Sequence, residues 1–175
     1  MSENEGPGLV PISQEQDTDE APEELRRLIV FRACDEWFSL PIEWVREIQP
    51  LERVMRVPNA PAEVLGVLNL RGRILTLIDL AGCLGIPRGT QPSTHAVVLD
   101  FADPELSVGI AAQRIAQVRE VPVSAIHPAA REMGAGGMDG VFEMGSLVVG
   151  LLDLSRVFAR LLPEWGVKVE PRGLR

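Results

Sequence analysis

The sequence predicts an all-β protein built from two copies of one small unit, and three observations predict it. Val, Leu and Ile dominate a composition with no Tyr, 16 Gly and 14 Pro, the mixture of short strands joined by sharp turns. Gly66-Val-Leu-Asn-Leu-Arg-Gly-Arg-Ile-Leu-Thr-Leu-Ile-Asp-Leu80 reads as strand, turn and strand. Leu68 and Leu70 alternate with Asn69, and Ile74–Leu80 is apolar but for Thr76 and Asp79. Shifted by 74 residues without a gap, that stretch meets itself: Gly66 falls on Gly140, Val67 on Val141, Leu77 on Leu151, Asp79 on Asp153 and Leu80 on Leu154. Upstream, Leu28–Leu40 resembles Ala96–Val108, with Asp35 over Asp103 and Ser39 over Ser107. The chain therefore reads as two units of about 70 residues, each of about five short strands, forming a pair of small barrels or strongly bent sheets.

The elements follow in order. Residues 1–26 read as a disordered acidic tail, and order begins near Leu28. Leu28–Phe31 is a strand, Asp35-Glu36 a turn, and Trp37–Leu40 a second strand closed by Pro41. Ile42–Ile48 is apolar at 42, 44, 45 and 48, which fits either a short helical turn or a twisted strand. Met55–Val57 is a further strand candidate, and Pro58–Pro61 a turn. In the first hairpin Leu70-Arg71-Gly72 suits a type I turn closed by a left-handed glycine. Gly66 and Gly72 are its structural glycines. One helical turn is expected at Leu80–Leu84, then a Gly/Pro connector to Ser93. Thr94–Phe101, Leu106–Ala112 and Ile115–Val121 read as strands, with Asp103-Pro104 turning between the first two. Pro122–Gly137 is loop-rich and mobile around Gly134–Gly137. Val141–Met144 and Leu147–Leu154 form the second hairpin. Ser155 caps a short C-terminal helix to Leu162, and residues 164–175 are a tail.

The net charge of −8 is local. Residues 1–24 hold eight acids and no base, and the rest carries 17 acids and 17 bases. No basic run points to nucleic acid. Cys34 and Cys83 form no Cys-x-x-Cys, and His95 and His127 are far apart, which argues against a disulfide framework or zinc site. The N-terminus lacks a signal-peptide pattern, and no apolar run approaches the ~20 residues of a membrane span. A cytoplasmic protein with no membrane insertion is expected.

Catalytic chemistry finds little support. Asp79 and Asp153 offer the one conceivable carboxylate pair. Ending equivalent strands, they read better as turn residues accepting backbone N–H groups. His95 opens a strand with no acid or Ser motif beside it, and the serines lack a nucleophile elbow. The stretch Gly134–Gly140 has no Lys-Ser/Thr pair for a phosphate loop. No cofactor or metal is implied, so a binding module is favoured over a small enzyme using Asp79 and Asp153. Arg71 stands out because its repeat partner is Gly145, so the fold does not demand Arg there. If Val45-Arg46-Glu47-Ile48 packs near the hairpin, Glu47 could pair with Arg71 and orient it for a partner.

Four stretches together resemble the CheW-like adaptor family of bacterial chemosensory systems: Leu28–Phe31, Val45-Arg46-Glu47-Ile48, Arg56-Val-Pro-Asn-Ala-Pro61, and above all Gly66-Val-Leu-Asn-Leu-Arg-Gly72 through Ile78-Asp-Leu80. The resemblance spans about residues 28–162, within a CheW-like domain placed at 27–163. It implies two intertwined SH3-like five-stranded β-barrels and no catalysis. It implies an adaptor between chemoreceptors and a CheA-type histidine kinase. Such an adaptor docks barrel to barrel on the kinase's CheW-like regulatory domain and cradles the receptor's cytoplasmic helical hairpin in a groove. By motif, Val45, Glu47 and Arg71 fall at receptor-side positions, with His95 and Ala96 opening a strand that contributes to the groove. The sequence departs from the family at Ala112-Gln113-Arg114, where an apolar residue followed by Asp is usual, and at His95-Ala96, where Val or Ile is usual. These departures suggest as an alternative a scaffold with a non-flagellar output, pili or a second-messenger enzyme. No kinase or receiver motifs accompany the domain.

Overall fold

The computed structural model describes residues 23–101, 103, 105–129, 136–159 and 161. The acidic stretch 1–22, Pro104, Gly134 and Ala135, and the expected helix end and C-terminal tail from 162 onward lie outside the described residues.

Among the described residues eleven strands form two sheets, and the all-β class is as the sequence predicts. β1 (Leu25–Ala33) and β2 (Glu36–Pro41) make the first hairpin. Its turn residues Cys34 and Asp35 are both left-handed, φ 53° and 64°. That is the φ pattern of a type I′ turn, whose twist matches two strands joined by two residues. After Pro41 comes a 3-10 turn at Ile42–Trp44, then β3 (Val45–Pro50). Both readings of Ile42–Ile48 were therefore half right: a helical turn, then a strand. β4 (Val64–Leu70) and β5 (Arg73–Ile78) form the hairpin of the Gly66–Leu80 stretch, and α1 (Leu80–Leu84) follows. β6 (His95–Leu99), β7 (Val108–Ala112) and β8 (Arg114–Pro122) come next. A 3-10 turn at Val123–Ala125 leads to β9 (His127–Pro128). The second hairpin is β10 (Met138–Met144) with β11 (Leu147–Leu152), closed by α2 (Leu154–Val157).

The sheets do not follow the repeat boundary. One runs β8-β1-β2-β11-β10-β9 and the other β3-β6-β7-β5-β4. The N-terminal hairpin β1–β2 thus sits between strands of the second half. Hairpin β6–β7 sits between strands of the first. The two insertions match in detail: β2 joins β11 in parallel, and β7 joins β5 in parallel. Contiguous 70-residue units are therefore not the folding units; the halves exchange their hairpins.

Three apolar cores result. Leu28, Val30, Phe142, Val149 and Leu151 fill one sheet's interior. Leu68, Leu75, Leu77, Ala96, Val98 and Ala111 fill the other. Ile29, Phe31, Phe38, Leu40, Val97, Leu99, Ile110 and Phe158 belong to the largest cluster, between the sheets. Each exchanged hairpin feeds its own interior with one face and the shared core with the other. Burial on both faces is why Leu28–Phe31 and Ala96–Leu99 show no polar alternation. Phe31, Phe101 and Phe158 are fully buried, and truncating any one to Ala costs about 3–5 kcal/mol.

Four local expectations need correction. The β4–β5 turn is a two-residue loop, Leu70 facing Arg73, with both Arg71 (φ 51°) and Gly72 (φ 84°) left-handed. A loop that short favours the primed turns, here I′, and Asn69 Oδ1 supports it by accepting from the Gly72 N–H at 2.8 Å. Gly66 is not in a turn. It lies within β4 at a register shift, φ 149°, where any Cβ would strike the Met55 carbonyl oxygen. Met55–Val57 is no strand, only a single antiparallel bridge from Met55 to Val67. α2 is capped by Asp153, whose carboxylate accepts from the N–H groups of Ser155 and Arg156, not by Ser155. A carboxylate one residue before the helix reaches those N–H groups and answers the helix dipole.

Candidate functional site

β3 and the β4–β5 hairpin are the outer elements of their sheet. The sheet curls enough to bring them together, and Arg71 Nη2 lies 3.4 Å from Glu47 Oε2. Glu47 is held from its own strand: Gln49 Nε2 donates to Oε2 at 2.7 Å. Arg71 is held by its turn, through the Asn69–Gly72 bond. Its side chain is 76% exposed and that of Glu47 26%. The pair therefore presents an oriented guanidinium to solvent, with its carboxylate anchored against the barrel.

A bulge sets which side Glu47 faces. β3 opposes β6 with Val45 on Leu99 and Glu47 on Val98, leaving Arg46 as the extra residue. Strict alternation would put Val45 and Glu47 on one face. The bulge separates them. Val45 packs against the central core that holds Leu99, while Glu47 and Gln49 share the side of Val98 and Ala96. Of the expected residues, the structure joins Glu47 and Arg71 and places Val45 on the other side of β3. His95 faces Pro50 at the far end of β3. Its Nδ1 lies 2.8 Å from Thr94 Oγ1, which donates its own proton to the Gln113 carbonyl. With that proton committed, the hydroxyl oxygen is left to accept from Nδ1–H. Ala96 is fully buried and lies behind Gln49 in the interior, so it offers no side chain to a partner.

The pseudo-equivalent place in the other half is differently furnished. Phe31 faces Ile115 and Val30 faces Gln117 across a matching bulge. Gln117 thus stands where Glu47 stands, and Gly145 where Arg71 stands. The contact there is Gln117 Nε2 to Met144 Sδ, 3.7 Å. The ion pair is a property of one half only.

Asp79 and Asp153 are both spent on structure. Asp79 caps α1 through Ala81 N–H and holds Arg88 Nε at 2.7 Å. Asp153 caps α2 and pairs with Arg156 at 3.1 Å. Cys34 Sγ lies 3.9 Å from Asp79 Oδ1 as donor. Burial first, then the neighbouring Asp79 charge, pushes that thiol up to about 11. Among the described residues no group of His, Cys, Asp or Glu could hold a metal ion.

One polar junction was not legible in the sequence. Asp35 accepts at Oδ2 from Thr90 N–H (2.6 Å) and Thr90 Oγ1 (2.9 Å), and at Oδ1 from Gln113 Nε2 (3.0 Å). Its own N–H donates to Gln113 Oε1 at 3.0 Å. These bonds, the Thr90 ones above all, hold its carboxyl below the ordinary value. The departure at Gln113 is thus used: it ties the β1–β2 turn to the connector before β6. The only sequence signal was Asp35 recurring as Asp103.

The chain is thus an all-β protein of two curled sheets with an ion-paired, exposed arginine at the edge of one. The chain belongs to the CheW-like domain family, whose sequence pattern matches residues 27–162. It is 31% identical over 136 residues to the chemotaxis protein CheW of Rhizobium meliloti (strain 1021), covering 76% of this chain and 87% of that one. It is 28% identical over 142 residues to a probable chemotaxis protein CheW of Rhizobium etli, covering 79% and 91%. In fold it is similar to the scaffolding protein TtCheW of Thermoanaerobacter tengcongensis, with a TM-score of 0.68 at 19% identity, covering 79% of this chain and 91% of that one. The two sheets accordingly correspond to SH3-like barrels. No helix among the described residues is long and apolar enough to cross a membrane.

Proposed function

We propose that this chain is a non-catalytic adaptor that couples chemoreceptors to a CheA-type histidine kinase in a cytoplasmic signalling complex. The observation that carries this is the Glu47–Arg71 pair: a guanidinium the repeat does not require, paired with Glu47 on a hairpin turn that Asn69 braces, and left exposed. It would receive the receptor's cytoplasmic helical hairpin, a helix-in-groove mode in which Arg71 meets polar groups on the helix. His95 would contribute from the end of β6 and Val45 through its exposed part, while Ala96 supports the strand from inside. The kinase's CheW-like regulatory domain would dock barrel to barrel. The capping roles of Asp79 and Asp153 favour this reading over an enzyme, since neither carboxylate is left for acid–base work.

A pull-down from cells with the full chain and with Arg71→Ala tests it. The full chain should recover both a receptor and a kinase, and Arg71→Ala should lose the receptor but keep the kinase. Recovery of neither by the full chain would sink the adaptor reading.

A further inference from the structure

Where β1 meets β8, two arginines are set directly against each other: Arg32 is the ladder partner of Arg114. Directly opposed residues share one face of the sheet, with Cβ atoms about 5 Å apart, and like charges so placed repel. The equivalent places in the other half hold Asp100 and Trp44, whose backbones are joined by an N–H to carbonyl bond of 2.8 Å. The fold therefore does not demand two arginines there.

Both arginines line one cavity of about 420 Å³, in which Asp35 is the one carboxylate. Asp35 is already engaged with Arg32: Arg32 Nε donates to its carbonyl at 3.3 Å, and Arg32 Nη2 lies 3.7 Å from Oδ1. Arg114 is exposed and forms no ion pair among the described residues. Two guanidiniums against one carboxylate leave the cavity one positive charge. The neutral donors on its wall are committed. Thr90 Oγ1 donates to Asp35 and Thr94 Oγ1 to the Gln113 carbonyl. Gln113 Nε2 donates to Asp35 Oδ1 and to the Gln91 carbonyl.

The two guanidiniums are thus what the cavity offers a ligand. One guanidinium fork takes up both oxygens of a carboxylate. A phosphate group has oxygens for two forks, and its charge of about −1.5 to −2 at pH 7 exceeds the one it would meet. We propose that Arg32 and Arg114 bind a phosphate group, carried by the free ion or by a small phosphate monoester. The arginines lie in the other sheet from Glu47 and Arg71, and the proposal stands whether or not the adaptor reading does.

Amide NMR of the full chain in phosphate-free buffer tests it, by titration at constant ionic strength with inorganic phosphate, glycerol phosphate and acetate. The amides of Arg32, Thr94, Gln113 and Arg114 should shift along one saturating curve in the millimolar range for phosphate, while those of β4–β5 hold. The tighter of the two phosphates identifies the natural form, ester or free ion, and acetate should bind at least about fivefold more weakly than either. Arg114→Gln, a change at an exposed side chain, should weaken phosphate about fivefold or more. Arg119→Gln, on the same strand but outside the cavity, should leave it unchanged. Shifts that never saturate, or that spread equally to Arg119, would overturn the proposal. So would unaltered phosphate binding in Arg114→Gln, or acetate binding as tightly as phosphate.

Discussion

Glu47 and Gln117 occupy one place in the two halves of the molecule, each just past a bulge, yet only Glu47 meets an arginine. The halves share their bulges and their Asp helix caps, so the pair is an addition to the fold and not a requirement of it. Substitutions there should separate stability from binding.

Arg71→Ala and Glu47→Ala should each shift stability by less than about 1 kcal/mol, because the arginine is mostly exposed. Urea unfolding checks this. Receptor binding should fall at least about tenfold, roughly 1.4 kcal/mol, in either variant. The swap Glu47→Arg with Arg71→Glu should recover part of that loss. A swap that binds no better than the singles means that the two residues do not act as a pair.

The two helix caps should differ in cost. Asp153→Ala removes a cap that is partly exposed, and that pairs with an Arg156 side chain itself mostly exposed, and should cost about 1 kcal/mol. Asp79 is buried, 7% exposed, and also holds Arg88. Asp79→Ala should therefore cost more, about 2 kcal/mol or above, by leaving the Ala81 N–H without its partner inside the fold. Denaturant midpoints of the two variants give the comparison, and equal losses would contradict it.

Asp35 gives a pH signature. Its folded carboxyl titrates below the ordinary 3.8, with the Thr90 bonds as the main cause and Gln113 and Arg32 assisting. A depressed carboxyl contributes stability that is complete above the unfolded value and is lost as pH falls through the folded one. Its contribution should therefore persist to about pH 4 and fade only below it. Thr90→Val, which deletes the hydroxyl donor, should raise the Asp35 value measured by NMR titration. Gln113→Ala should raise it less. No movement in either would mean that the junction is not formed in solution.

Cys34 should be a poor nucleophile. With the thiol at about 11, the thiolate fraction at pH 8 is on the order of one in a thousand. Alkylation of the folded chain should accordingly lag far behind that of the unfolded chain. The unfolded thiol ionises at the ordinary 9.0, so the fold loses stability as pH rises from 9.0 toward 11. Asp79→Asn removes the adjacent charge and should speed the folded-state reaction. An unchanged alkylation rate would remove Asp79 from the explanation.

Much of this was legible residue by residue. The 74-residue repeat placed both hairpins and the all-β class, because glycine and apolar alternation act locally; it matched Asp79 with Asp153 as turn residues, but the second helix was given Ser155 as its cap. Arg71 stood out because it failed to recur. What stayed hidden depends on partners distant in sequence. A two-sided strand reads only as apolar, so nothing in Leu28–Phe31 said that β1 would lie beside β8 and not beside its own half. The bulge at Arg46, which parts Val45 from Glu47, leaves no mark of its own in composition. Ala96 was placed at the groove by the family resemblance, and a small side chain near the start of a strand did not declare that its face was the interior one. The Asp35–Gln113 junction joins residues 78 apart, and only the closed fold brings them together.

The reciprocal placement of β1–β2 and β6–β7 bears on how such a molecule arose and how it assembles. A single half holds a hairpin that its own sheet cannot accept and a gap that its own hairpin cannot fill. Two identical half-length chains would satisfy each other by trading hairpins, giving a symmetric swapped dimer. The present chain has the strand connectivity of such a dimer with its two subunits joined end to end. In one chain the two copies are free to differ, and here one hairpin tip carries Arg71 where the other carries Gly145.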